Sequence, residues 1–156
     1  MHPVVRSITI DTVGDPFYLA RFWGQLFGRP MHVEDQPGDP EAIVLGTDQC
    51  PQLLFIQVPE TKTVKNRVHF DIHPVGDRTR DQELDRALKL GATLFADHRE
   101  PDGTGFVVLT DPEGNEFCIE RSAAEKAATC RAGKPAAAEQ PSVDPTPAEP
   151  SPELVG

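Results

Sequence analysis

The sequence lacks several features that would place it in a membrane or on nucleic acid. It has no run of about 18 apolar residues, so no segment is predicted to span a membrane, and no apolar signal segment is recognised. Aspartate and glutamate outnumber lysine and arginine by 25 to 15, which gives a formal net charge of −10. Because no basic patch is present, we do not expect nucleic acid or a membrane as a partner.

Cysteine is scarce and shows no paired pattern. Cys50, Cys118 and Cys130 form an odd set without a CxxC pair. This is not the pattern of a disulfide-stabilised secreted domain or of a thiol-rich zinc motif. We therefore expect a reduced, cytoplasmic protein.

Lysine, arginine and aromatic residues are largely missing from the last part of the chain. Residues 135–156 contain none of them, but six prolines and four acidic residues. Such a segment buries too little apolar surface to offset the entropy of ordering, so we predict disorder. A short helix is expected just before it, over 122–134. The predicted organisation is one domain over 1–122 and an Ala-, Pro- and acid-rich tail over 123–156, either solubilising or partner-binding.

What the sequence does contain is a pattern of strands and helices that runs twice along the chain. The first half, about residues 4–58, begins with an alternating strand, VVRSITID. Asp15-Pro16 then has the composition of a helix start, and Gly28 that of a helix end. The remaining strands of this half are predicted near 31–35, 42–46 and 51–58.

The second half, about residues 66–121, repeats the order of strand, helix and three strands. Its predicted elements are a strand over 67–73, a helix ending at 88–91, and strands in ATLFA, GFVVLT and NEFCIE. ITID (8–11) matches VHFD (68–71) with a displacement of 60, and LFIQ (54–57) matches FCIE (117–120) with a displacement of 63. We predict an α+β fold of two βαβββ modules, each with one open sheet face.

Alternation along the strands predicts which side chains share that open face. Around His69, the helix side takes Val68, Phe70 and Ile72. The open face takes Ser7, Thr9 and Asp11, then Leu53, Phe55 and Gln57, then His69, Asp71 and His73, and finally Glu116, Cys118 and Glu120. A sheet with one solvated face would show the same alternation of polar and apolar residues. The combination of His, Cys, Asp and Gln with a Phe on one face is, however, typical of a ligand pocket with polar anchors.

Several motifs together resemble the vicinal oxygen chelate superfamily, and in particular its small glyoxalase-like proteins. They are DPFYLARFWGQLFG, KNRVHFDI, LTDPEGNEFCI and the paired βαβββ order, and they cover residues 4 to about 121. The resemblance implies a cup with a small-molecule site inside, a homodimer, and a lyase, isomerase or dioxygenase activity. The alternative it implies is a metal-free protein of the bleomycin-resistance type that sequesters cationic drugs, which the acidic composition suits.

Metal-dependent members of that superfamily hold a divalent cation with residues from the first and last strands of both halves. Carried over to this sequence, the positions fall on Thr9, on Phe55 or Gln57, on His69 and on Cys118. Only His69 is a standard ligand, so the usual metal cofactor is disfavoured, with His69, Cys118 and Glu120 as the alternative metal set. We expect His69 to be the catalytic residue, because histidine can act as a general base near neutral pH. The predicted ligand-binding residues are Thr9, Phe55, Gln57, Asp71, Cys118 and Glu120.

Overall fold

The computed structural model describes residues 2–131 and confirms the α+β fold. Its elements, in chain order, are β1 Ser7–Thr12, α1 Pro16–Phe27, β2 Glu41–Val44, β3 Gln52–Gln57, β4 Asp71–Ile72, α2 Arg80–Leu90, β5 Thr93–Asp97, β6 Val107–Thr110, β7 Glu116–Ile119 and α3 Ala123–Arg131. The helix expected over 122–134 is α3. The predicted disordered segment beyond it lies outside the described residues. Within residues 2–131, no helix has the length and apolar character needed to cross a membrane.

The two halves have matching sheet topologies. In the first half the strand order is β1-β3-β2, with β1 parallel to β3 and β2 antiparallel to β3. In the second half the order is β4-β7-β6-β5, with β4 parallel to β7 and the other pairs antiparallel. The first and last strands of each half are therefore neighbours. The strand expected near 31–35 is reduced to an isolated bridge between Met31 and Val44.

The strand register corrects the predicted side-chain directions in β3. Asp11 lies opposite Ile56, and Asp71 lies opposite Cys118. Asp11 and Asp71 are 60 residues apart, so their partners Ile56 and Cys118 occupy equivalent positions in the two halves. The displacement between β3 and β7 is therefore 62 residues and not the 63 that the match of LFIQ with FCIE predicts. The prediction that Leu53 and Phe55 line the open face is wrong, because both are buried in the core.

One hydrophobic core serves both halves. Trp23 in α1 is 1% exposed, and its ring centroid lies 5.2 Å from that of Phe70 and 5.1 Å from that of Phe117. The helix that presents it begins as predicted, with the Asp15 side chain accepting a hydrogen bond from the backbone nitrogen of Phe17. It ends at Gly28, whose φ of 64° suits glycine. Edge-to-face aromatic packing thus joins α1 to Phe70, next to β4, and to Phe117 in β7.

The segment between β3 and β4 differs from the predicted strand over 67–73. Only Asp71 and Ile72 form strand structure, and the preceding residues from 58 to 70 form an irregular linker. Val68, expected on the helix side, is 79% exposed because the chain there is not held in the sheet. Phe70 and Ile72 do pack against the core, as expected.

Candidate functional site

A cavity of about 660 Å³ lies between β1 and the linker that follows β3. We call it the cleft. Its polar lining comes from β1, the linker, the turn between β6 and β7 and the first residue of β7, and includes Thr9, Asp11, Lys62, His69, Glu113 and Glu116. Its apolar lining includes Ile8, Ile10, Trp23 and Phe70. A mainly apolar cavity of this size with a few polar anchors is typical of a small-molecule site.

One carboxylate holds the linker against the second half. Glu116 accepts a 3.1 Å hydrogen bond from Lys62 Nζ and a 3.0 Å hydrogen bond from the backbone nitrogen of Asn66. Its side chain is only 7% exposed. Burial raises its pKa, but the backbone hydrogen bonds from Asn66 and from Glu116 itself, with the Lys62 ammonium, outweigh burial and lower the pKa overall. Glu116 is therefore charged at neutral pH and fixes one wall of the cleft.

The turn that follows β6 is attached to the first half at two points. Trp23 Nε1 donates a 3.0 Å hydrogen bond to Oδ2 of Asp111, whose pKa is raised by burial despite this bond. Glu113 Oε2 accepts hydrogen bonds from the backbone nitrogens of Val13, at 3.2 Å, and Gly14, at 3.4 Å. A Cβ at Gly14 would lie 2.4 Å from Glu113 Oε1, so a larger residue at this position would displace the Glu113 side chain from this contact.

Three chemically active side chains meet where β4 pairs with β7. His69 Nδ1 lies 3.4 Å from Asp71 Oδ1, and the ligand atoms of His69, Asp71 and Cys118 all lie within 4.8 Å of one another. We call this group the second-half cluster. Burial, together with a hydrogen bond to Asp71 and the charge of Asp71, raises the pKa of the Cys118 thiol to about 12. Cys118 is thus a protonated thiol at neutral pH and not a nucleophile.

The structure does not bring all of the predicted site residues together. Thr9 and His69 line the same cleft. Phe55 is fully buried in the core and does not line the cleft. Gln57 Nε2 donates to the carbonyl oxygens at 13 and 14, at 3.4 and 3.3 Å, and lies outside the cleft lining. Glu120 forms an ion pair with Lys126 at 2.6 Å and is not a member of the second-half cluster.

Sequence reasoning missed the residues that build the cleft wall. The sequence gives Lys62 and Asn66 no predicted role and predicts Glu116 on the open face without a partner. The contacts that join them span 50 residues or more of sequence. No local periodicity encodes such contacts, although the dense run of polar residues from 60 to 67 was a signal that this segment needed partners.

The divalent cation implied by the superfamily does not fit this chain in the usual arrangement. By register, the four ligand positions are Thr9, Ile56, His69 and Cys118. Ile56 has no donor atom, and a threonine hydroxyl is not among the usual protein ligands of a zinc site. The first half therefore cannot supply its share of a metal site that spans both halves.

Comparisons with known proteins agree with this geometry. A family model described as Glyoxalase-like domain matches residues 7–120. A glyoxalase-related enzyme from Fulvimarina pelagi is 19% identical with a TM-score of 0.54, covering 76% of this chain and 87% of its own. A glyoxalase/bleomycin resistance protein/dioxygenase family enzyme from Burkholderia phytofirmans PsJN is 22% identical with a TM-score of 0.53, covering 73% and 94%.

A third solved structure has a more complete overlap. The fosfomycin resistance protein FosX from Mesorhizobium loti is 16% identical with a TM-score of 0.57, covering 82% of this chain and 99% of its own. At such identities these likenesses establish the fold and no activity. No curated protein gives a significant match. With the domain match spanning nearly all of the repeated region, the chain belongs to the glyoxalase-like domain family of the vicinal oxygen chelate superfamily.

Proposed function

We propose that this protein binds a small metabolite in the cleft and exchanges a proton with it through His69, as a lyase or isomerase would. The observation that carries the proposal is that Thr9 of β1 and His69 of the linker line one cavity of about 660 Å³. They come from the equivalent positions of the two halves. A ligand held between them would contact both modules of the repeat.

The contact between His69 and Asp71 supports a role in proton transfer. A carboxylate 3.4 Å from Nδ1 favours the tautomer with a proton on that atom. Nε2 then carries the lone pair and is the atom that accepts a proton from a ligand. Hydrogen bonds of catalytic groups are often long before substrate binds, so this distance suits the role. The step needs no thiolate, which agrees with the protonated state of Cys118.

A second candidate function is the binding of a cationic small molecule without chemistry. The acidic lining of the cleft favours it. Asp11 and Glu60 line the cleft, and within residues 2–131 their carboxylates make no hydrogen bond or ion pair. Lys62, the lysine of the lining, is already paired with Glu116. The cleft therefore offers unneutralised negative charge to a cation.

A thermal-shift screen of metabolites against chelator-treated protein tests the proposed function, since a compound that binds the native state raises the melting temperature. Thr9→Val, which removes the hydroxyl at nearly constant volume, and His69→Gln are the cleft variants. Glu120→Gln is the matched control, because Glu120 lies outside the cleft. We expect stabilisation of the wild type and the control that is reduced in both cleft variants. Equal stabilisation of all four proteins would refute the cleft as the site.

The same screen separates the two candidates. Asp11→Asn and Glu60→Gln remove negative charge from the cleft without changing side-chain size. If the protein sequesters cations, basic compounds stabilise the wild type and lose most of that effect in these variants, and turnover is not observed. If His69 acts as a base, a stabilising compound is converted by the wild type but not by His69→Gln, with the charge variants less affected.

A further inference from the structure

The second-half cluster combines three different donor types at one point of the fold. β4 and β7 are parallel neighbours, and their register sets Asp71 directly opposite Cys118. His69, at the end of the linker, places its Nδ1 3.4 Å from Asp71 Oδ1. The imidazole nitrogen, carboxylate oxygen and thiol sulfur all lie within 4.8 Å of one another.

The composition of the cluster departs from the superfamily arrangement. All three donors come from the second half, whereas the first-half positions offer only Thr9 and Ile56. The third member of the cluster is Asp71 and not Glu120, which the sequence predicted as a ligand. Glu120 instead forms an ion pair with Lys126 at 2.6 Å. A cation held here would thus need nothing from β1 or β3.

We propose that His69, Asp71 and Cys118 form a binding site for Zn²⁺ or a cation of similar softness, contained entirely within the second half. Zinc takes nitrogen, sulfur and oxygen ligands, and three protein ligands leave one position open. Sulfur binds the cation as the thiolate, so coordination would release the Cys118 proton to solvent. One oxygen donor is too few for Mg²⁺ or Ca²⁺, and a sulfur ligand selects against them. The site is thus specific for a class of cation that the usual oxygen-rich set does not favour.

Accessibility agrees with such a site. The side chains of His69 and Asp71 are 34% and 55% exposed, so a cation can reach them from solvent, while Cys118 is only 9% exposed. A buried sulfur beside two accessible ligands is protected from competing reagents. The competing explanation is that the three groups only hydrogen-bond one another, and this explanation predicts no cation affinity.

Zinc binding by the second-half cluster does not depend on the proposed metabolite function. His69 cannot act as a zinc ligand and as a general base in the same molecule. When His69 is a ligand it is not a free base. Zinc binding is measured directly, whereas the metabolite screen uses chelator-treated protein. Failure of either proposal is therefore recognised without the other.

The test is a titration of the full chain with Zn²⁺ against a competing chromophoric chelator, after removal of metal. The background protein carries Cys50→Ser and Cys130→Ser, because these exposed thiols could bind zinc adventitiously. We expect one Zn²⁺ per chain, no binding of Mg²⁺, and affinity at least about tenfold lower after His69→Gln or Asp71→Asn, since even outer residues of metal sites have effects of that size. Glu120→Gln should bind zinc as the background protein does.

A spectroscopic readout identifies the sulfur ligand. Co²⁺ bound to the background protein should give a near-ultraviolet sulfur-to-metal charge-transfer band, and Cys118→Ser should abolish it. His69 and Asp71 are exposed, so their variants stay informative even if the buried Cys118→Ser change disturbs folding. The proposal is overturned if zinc binds only while Cys50 and Cys130 are present, if His69→Gln and Asp71→Asn bind zinc unchanged, or if Glu120→Gln weakens binding as much as Asp71→Asn.

Discussion

Trp23 Nε1 in α1 donates a 3.0 Å hydrogen bond to Oδ2 of Asp111 at the end of β6, so the two halves of the repeat are joined by a polar contact inside the core. Both residues are at least 97% buried. A buried acceptor that loses its donor pays a desolvation penalty. This one contact therefore couples the stability of the two halves.

Replacement of the indole tests that coupling. Trp23→Phe keeps an aromatic ring but removes the N–H, and we expect a loss of about 1–3 kcal/mol from the hydrogen bond, in addition to a packing loss. Urea unfolding of Trp23→Phe, Asp111→Asn and the double variant gives the coupling energy, expected at about 0.5–3 kcal/mol for residues in direct contact. Additive effects of the two substitutions would show that the bond does not connect the halves.

Glu116 should make stability depend on pH in the acid range. Its pKa in the folded protein is lowered from the ordinary value of 4.5. The stabilisation is therefore complete above that value and is lost as pH falls through the lower, folded-state pKa. In Glu116→Gln this part of the pH dependence should vanish, so the two unfolding free energies converge at low pH. A constant difference between wild type and variant from pH 7 down to the acid limit would be inconsistent with this role.

The same variant should loosen the linker. Without the carboxylate, Lys62 and the backbone nitrogen of Asn66 lose their partner, and the segment from 58 to 70 becomes easier to cleave. Limited proteolysis should cut Glu116→Gln faster than wild type within this segment. Glu120→Gln, whose partner Lys126 lies at the opposite end of β7, is the control and should be cut at the wild-type rate.

The three cysteines should differ in reactivity. Cys50 and Cys130 are exposed, whereas the Cys118 thiol is buried and has a pKa raised to about 12. Because the thiolate is the reactive form, a disulfide reagent at pH 8 should modify two thiols quickly and the third slowly. Cys118→Ser should leave the number of fast thiols unchanged. A loss of one fast thiol in that variant would place Cys118 among the reactive groups.

Phe55 provides a test of the strand register. Because its side chain is fully buried, Phe55→Ala should lower the unfolding free energy by about 3–5 kcal/mol. Gln57→Ala removes only two long hydrogen bonds to the turn after β1, so a cost of about 1 kcal/mol or less is expected. Denaturant unfolding of both variants gives the comparison. Similarly small losses of unfolding free energy in both variants would indicate that the Phe55 side chain lies on the open face.

Features that depend on neighbours in sequence were predictable. The start of α1 at Asp15 and its end at Gly28 follow from local backbone chemistry, and the structure has both. His69, Asp71 and Cys118 were expected on one face, and their ligand atoms do lie together. Here strand alternation was sufficient, because Phe70 and Phe117 fix which side faces the core.

Features that depend on register or on distant contacts were not predictable. The match of LFIQ with FCIE placed Phe55 on the wrong face because a shift of one residue reverses every side chain of a strand. The pairing that corrects it, Asp11 with Ile56, joins strands 45 residues apart and leaves no local trace. The same holds for Glu116, whose role depends on where the linker lies.

The location of a bound ligand tests the account most directly. A compound from the thermal-shift screen is titrated into ¹⁵N-labelled, metal-free protein, and its backbone amide shifts are mapped. A second cavity of about 330 Å³ beside α1, lined by Tyr18, Arg21 and Gln25, provides an internal alternative. We predict shifts at Thr9, at Lys62 and at His69, with none near Tyr18. Shifts confined to the cavity beside α1 would contradict the assignment of the cleft as the functional site.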